Sequence, residues 1–269
     1  MNPVLTSAVE NGILTLTLNR PEAHNALNPE LLCRLVDALD EFEANPNQHA
    51  VILTGAGPRA FCSGGDLGLT LPLFSGQRQP ENAWDYRLLE EPRLRALGPL
   101  REDPLSKPVI AAVNGVCMAA GAEMLLGTDL RIASSNARFG WPEAKHALIP
   151  FAGTLARLPR QIPYCHAMEL LLTGRTIDAE RALAWGLINQ IVSPEQVLST
   201  AQQLALEICA NGPLAIREIK RITRSAIGQP LDTGYALEDQ SYRIIMDSAD
   251  AKEGPKAFME KRKPVFHGH

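Results

Sequence analysis

From residue 12 to residue 18 the chain reads Gly-Ile-Leu-Thr-Leu-Thr-Leu, apolar and polar by turns, which predicts a half-buried strand ending at Asn19-Arg-Pro21. The period then changes. Behind Asn28-Pro29, a helix start with proline at the first helical position, Leu31, Leu32, Leu35, Val36, Leu39 and Phe42 recur at helical spacing as far as Asn45-Pro46. Two short β-rich runs, residues 51–54 and 108–113, each end in a glycine turn, Gly55-Ala-Gly57-Pro58 and Asn114-Gly115. Residues 130–133 predict a further strand, residues 123–127 a short helix, and residues 153–160 a helix with Pro159 near its end. Beyond Cys165 the segments 166–173, 178–185, 195–210 and 213–227 all carry apolar faces at spacing three or four, so the last third is predicted to be mostly helical. Between the strands, residues 68–107 contain Pro72, Gly76, Pro80, Pro92, Gly98, Pro99 and Pro104 and predict a broken, partly helical excursion. Strands alternating with helices imply an α/β layered fold.

Composition narrows the function classes. With 269 residues and 45% apolar content the chain has ample material for a buried core, as one large domain or two small ones. The charged 21% is mixed in sign with a net charge of -4, which offers no long-range attraction to nucleic acid or to an anionic membrane. Cys33, Cys62, Cys117, Cys165 and Cys209 are odd in number and widely spaced, and read as reduced thiols of a cytoplasmic protein. The opening MNPVLTSAVENG shows neither a secretory nor a transit pattern. The longest apolar stretch, residues 108–127, is interrupted by Asn114 and Glu123 and rich in Gly, Pro and Asn, a poor membrane span.

Two small-residue turns carry the candidate chemistry: Ala60-Phe-Cys-Ser-Gly-Gly-Asp-Leu67 and Asn114-Gly-Val-Cys-Met-Ala-Ala-Gly-Ala-Glu123. Each follows an apolar strand, and small side chains let a ligand approach unshielded backbone N–H groups, so that together the turns suit an oxyanion hole. Singly, each is the ordinary tight link from strand to helix. No metal-ligand set, GxxxxGK loop or GxSxG elbow occurs, and Cys62, with no histidine near it in sequence, reads as packing.

In these blocks the chain resembles the enoyl-CoA hydratase/isomerase, or crotonase, superfamily. The resemblance runs from Leu18-Asn-Arg-Pro21 and Asn25-Ala-Leu27 through the first turn and Lys107-Pro-Val-Ile-Ala-Ala-Val-Asn-Gly115. It continues at Phe139-Gly-Trp-Pro-Glu143, Leu172-Thr-Gly-Arg175, Ala184-Trp-Gly-Leu187 and Phe258-Met-Glu-Lys-Arg-Lys-Pro264. It implies a crotonase-type spiral of ββα repeats over residues 1–195, with a C-terminal helical trimerisation region over residues 196–269. By the same resemblance, Gly65 and Ala120 donate the two oxyanion N–H groups, and Glu123 and Glu143 move protons while water adds to, or leaves, the α,β bond of an acyl-CoA thioester.

Coenzyme A is then part of the substrate rather than a cofactor, clasped by Ala23, Ala60, Gly65, Asp66, Leu67 and Gly68 and the Asn25-Ala26 turn, with Lys261 reaching a phosphate from a neighbouring subunit of a homotrimer or hexamer. Two positions depart from the family pattern: Ala119-Ala120 where many relatives have glycine at the second donor, and Phe151 where common hydratases have glycine and other branches a carboxylate. Phe151 is therefore expected to crowd the pocket, and Trp84, Tyr86 and Trp141 are candidate walls, the first two also reading as packing. His146 reads as solvent-facing. An isomerase using one glutamate, or a non-catalytic CoA- or RNA-binding protein, are the alternatives.

Overall fold

In the computed structural model, which describes residues 2–102 and 105–268, the period-two segment is a strand whose apolar residues are buried and whose threonines are half-exposed. Pro104, one of the predicted breakers, lies outside the described residues. The strands are β1 (Leu5–Glu10), β2 (Ile13–Leu18), β3 (Ala50–Gly55), β4 (Ala60–Cys62), β5 (Val109–Val113), β6 (Val116–Met118), β7 (Leu130–Ser134), β8 (Arg138–Gly140), β9 (Thr176–Asp178) and β10 (Gln190–Val192). They form a six-stranded sheet, β1-β2-β3-β5-β7-β10, and a four-stranded one, β4-β6-β8-β9.

The order of the chain through these sheets makes a spiral. β3, β5 and β7 lie side by side and parallel in the large sheet, and each is followed at once by a strand of the small sheet, where β4, β6 and β8 are again parallel neighbours. Each circuit thus advances the chain by one strand spacing in both sheets. A helical segment closes each circuit: Thr70–Phe74, Ala83–Glu90 and Pro92–Leu97 after β4, and Ala120–Leu125 after β6.

Both faces of the large sheet are covered, which is why β3 is apolar but for Thr54, whose hydroxyl donates to Ala112 O, and is buried at all six positions. Leu14, Leu16, Leu18, Val51, Leu53 and Val113 point into the main core with the helix Pro29–Ala44. The alternate residues Ile13, Ile52, Ile110, Ala112 and Ile132 meet Val197, Ala201 and Ala205 of the helix Val197–Cys209. The last helices are Pro213–Ala226, Leu231–Asp247 and Ala249–Met259. No helix among the described residues is long and apolar enough to cross a membrane.

The helix expected at residues 123–127 begins earlier, at Ala120, because the alanines and Gly121 enter helical geometry directly from the turn. Trp84 lies half-buried beneath the Arg34 guanidinium, 4.8 Å from the ring centroid, and so packs on the first long helix, whereas Tyr86 is exposed.

Where β2, β3 and β4 converge, one buried side chain ties the strand ends together. Asn25 Oδ1 accepts from Arg20 N–H, and its Nδ2 donates to Ala56 O at 3.0 Å and Ala60 O at 2.8 Å. Its φ of 56° lies in the left-handed region that asparagine tolerates better than most residues. Asn25→Ala strands Arg20 N–H and Ala56 O and leaves Ala60 O with Asn114 alone, and is expected to cost about 2–3 kcal/mol. A fall of several degrees in the thermal unfolding midpoint checks this; an unchanged midpoint refutes the role given to Asn25.

Candidate active site

The ladder between β4 and β6 brings the two small-residue turns together. Cys62 is the register partner of Cys117, so Gly65 and Ala120, each three residues further on, leave the ladder side by side. Gly64 and Ala119, the residues just before them, both have positive φ, 111° and 48°. A Cβ on Gly64 would stand 2.7 Å from Ala119 Cβ and 3.3 Å from Ala120 N, so the turns touch and only glycine fits. Gly121 is pressed as closely on Cys62, where an added Cβ would meet the carbonyl oxygen at 2.4 Å.

Each turn has unengaged backbone N–H groups, among them the expected donors Gly65 and Ala120. Leu27 N–H donates to Gly64 O at 2.8 Å and Asp66 N–H donates to Leu27 O at 3.0 Å, a parallel bridge that uses the groups on either side of Gly65. Because N–H groups alternate along an extended chain, the Gly65 N–H points away from Leu27, and among the described residues it has no acceptor. Ala120 is the first residue of its helix, where no intrahelical acceptor exists, and its N–H also lacks one among the described residues. The alanine at this position keeps a negative φ; Ala119, at φ 48° and ψ -126°, carries the strained conformation that sets the orientation of the peptide between them. The first turn is braced by Arg20, whose Nη1 donates to Asp66 Oδ2 at 2.8 Å and to Ala26 O at 2.6 Å.

Glu123 follows Ala120 by three residues and so lies on the same face of the short helix. Its carboxyl group is buried, with 3% of the residue exposed, and Oε1 accepts from Ala152 N–H at 2.8 Å and Thr154 Oγ1 at 3.2 Å. Burial pushes its pKa up to about 7; those two hydrogen bonds oppose the rise, and the charge of Glu143 adds to it. Glu143 opens a single 3-10 turn after Pro142, and burial raises its pKa too, with its own backbone N–H opposing. Its Oε2 is enclosed and has no hydrogen-bond partner among the described residues. Both carboxylates are thus raised by burial and Glu123 also feels the charge of Glu143, a condition that favours one protonated and one ionised member of the pair.

The other residues singled out from the sequence are placed unevenly. Ala23 adjoins the first turn, where Ser63 N–H donates to His24 O. The Ala60 carbonyl is occupied by Asn25 and Asn114 side chains, and Gly68 N–H is turned inward to Asp66 Oδ1. Leu67 is 74% exposed beside the open side of Gly65, where an added Cβ would meet nothing within 4 Å. Lys261, at the end of the helix Ala249–Met259, is exposed, and no hydrogen bond or ion pair ties it to either turn.

Phe151, expected to crowd the pocket, is 59% exposed, next to Ala152, whose N–H donates to Glu123. Trp141 is wholly buried and lines nothing open. His146 is exposed, and burial pushes the Cys62 thiol up to about 12, so it stays neutral at physiological pH. Thr154 and Arg20 were not singled out from the sequence. For Thr154 the signal available was its place just after Pro150 and Gly153, at the start of a predicted helix.

A raised carboxyl pKa has a stability signature. Glu123 in the folded chain keeps a proton that the unfolded chain releases above pH 4.5, so stability is lost as pH rises from there to about 7. Glu123→Gln retains an oxygen for Ala152 and Thr154 but has nothing to ionise. It is expected to be more stable than the parent by about 2–3 kcal/mol at pH 8 and by much less at pH 5, as read from denaturant midpoints. Equal gains at both values contradict the raised pKa.

Residues 8–269 match the family model described as Enoyl-CoA hydratase/isomerase. Enoyl-CoA hydratase EchA19 of Mycobacterium tuberculosis is 43% identical over 253 residues, covering 94% of this chain and 92% of that protein. The 1,2-epoxyphenylacetyl-CoA isomerase of Escherichia coli is 39% identical over 268 residues, the full length of both. The crystal structure of enoyl-CoA hydratase EchA1 from Mycobacterium marinum superposes with a TM-score of 0.88 at 41% identity, all of both chains being covered.

Proposed function

The chain belongs to the enoyl-CoA hydratase/isomerase family, and from that premise we propose that it adds or removes water across the α,β bond of an acyl-CoA thioester. The observation that carries the reading is the pair of acceptor-free N–H groups, Gly65 and Ala120, on touching turns, with a buried glutamate of pKa about 7 one helical turn away.

In this mechanism the thioester oxygen takes hydrogen bonds from both N–H groups, which form the oxyanion hole. Negative charge accumulates on that oxygen as the α-carbon becomes enolate-like, so fixed donors favour the transition state over the neutral ground state. Meanwhile the ionised member of the glutamate pair accepts a proton from water, the water oxygen bonds to the β-carbon, and the protonated member delivers a proton to the α-carbon. The proton count balances, no electrons change hands, and no group beyond substrate, water and the chain is required. Dehydration is the reverse. The Asn25-Ala26 turn, Ala23, Ala60 and residues 65–68 line the route along which CoA reaches the donors, and Lys261 serves a CoA phosphate of a neighbouring subunit.

A second reading, isomerisation by one glutamate on the same scaffold, is favoured by the relative named as an isomerase at 39% identity. Residues 1–195 then form the spiral core and residues 196–269 the assembly region of a cytoplasmic homotrimer or dimer of trimers. Supporting this, Leu231, Tyr235, Tyr242 and Met246 lie on one stripe of the helix Leu231–Asp247 and are all exposed in the single chain, as are Phe258 and Met259.

Loss of the conjugated enoyl-thioester absorbance over an acyl-CoA panel measures hydration directly. Glu123→Gln and Glu143→Gln are each expected to lower kcat by about 10²- to 10⁴-fold with little change in KM, and Gly65→Pro, which deletes a donor, by about 10²- to 10³-fold. Full turnover by both glutamine variants would sink the mechanism, and solvent deuterium uptake without water addition would assign the isomerase instead. Light scattering on the eluted protein is expected to give the mass of three or six chains; a monomer overturns the assembly.

A further inference from the structure

At the opposite end of the parallel strands from the two turns lies a cavity of about 430 Å³, within the size range of small-molecule sites. Its floor is the segment entering β3, at His49, and the segment entering β5, at Lys107-Pro108; its walls come from the helix Pro213–Ala226 and the returning C-terminal tail. The lining has an unusual charge balance. Lys107, Arg217 and Lys263 all border it, with His49 beside them, and no lining residue is acidic.

These cations are only partly engaged. Lys107 Nζ donates to Phe42 O and Asn45 O, both at 2.7 Å, and feels Glu43 behind it, but an ammonium has a third N–H. Arg217 Nη2 donates to Gly268 O at 3.1 Å, a neutral carbonyl, and neither Arg217 nor Lys263 has a carboxylate in ion-pairing range among the described residues. The accumulated positive field is felt by His49, whose pKa is lowered by burial first and then by Lys107 and Arg217.

The helix Pro213–Ala226 also starts here. It has no side-chain cap and no acidic residue in its first turn, so its leading N–H groups are left for water or an anion. Opposite the charges, Ile216 and Phe266 supply an apolar surface. Two cations with no carboxylate in ion-pairing range among the described residues, and a helix start without a side-chain cap, suit a dianion with three acceptor oxygens better than a planar carboxylate with two.

We propose that this cavity is a second ligand site, taking a phosphate monoester with an apolar or aromatic body, separate from the acyl-CoA site. The inference rests on the cavity alone and stands whichever reaction the glutamate pair performs.

Titration calorimetry on the full-length protein tests it with phenyl phosphate, inorganic phosphate and phenol as probes. The expected result is saturable binding of phenyl phosphate at one per chain, at least about tenfold tighter than inorganic phosphate, with none for phenol. Arg217→Gln is expected to weaken phenyl phosphate about tenfold or more, and Ile216→Trp, which fills the space without altering charge, to abolish binding, while both leave enoyl-CoA turnover and the circular dichroism spectrum unchanged. Binding is expected to persist when an acyl-CoA saturates the other site. Heats of dilution only, equal affinity for inorganic phosphate, undiminished binding in both variants, or displacement by acyl-CoA would each overturn the proposal.

Discussion

Two main-chain turns can lie in contact, each with a free N–H facing the same space, only if neither carries bulk where they meet. In this chain Gly64 meets that condition on one side, because any Cβ there would collide with Ala119. Ala119 meets it on the other by accepting a positive φ that an alanine adopts only under constraint. The constraint is supplied from outside the turns: the β4–β6 ladder below, the Cys62–Gly121 contact beside, and the Arg20–Asp66 ion pair that anchors the first turn to the end of β2. Remove the contact and the donors are no longer fixed relative to each other, so the rest of the site has nothing to act upon.

Around that fixed pair the protein tolerates an unfavourable arrangement. A buried carboxyl group beside a second one works against folding at neutral pH, and Ala152 N–H and Thr154 offset only part of the penalty. The Ala152 N–H and the Thr154 hydroxyl both donate to Oε1 of Glu123. Stability is given up at the place where proton transfer needs a group poised near neutral pH.

Much of the layout was readable in the residues, because long elements announce themselves by period. The segment 12–18, the helix beginning at Pro29 and the helix ending at Cys209 all have enough repeats for a face to be counted. Strands such as β4, β6 and β8 have three residues each and no countable period, so their pairing shows only in three dimensions. Site chemistry followed the same rule. Glu123 was legible only through the family resemblance, which expects a glutamate just after the second turn, whereas Thr154 is 31 positions away and becomes its partner only through the spiral. Phe151 shows the same limit: position relative to Glu143 says nothing about which way a side chain leaves the backbone, and the structure leaves this residue 59% exposed.

The register of β4 against β6 has a consequence for how such a protein can diversify. Since the two proposed donors sit three residues past a matched pair, their placement depends on the pairing of neighbouring strands and on the two touching turns, and not on any side chain that touches an acyl group. Segments such as residues 69–97 hang from that ladder without setting its pitch. Their lengths and side chains are free to be rewritten for a bulkier or more branched acyl chain while the two amides proposed to hold the carbonyl stay where the ladder puts them.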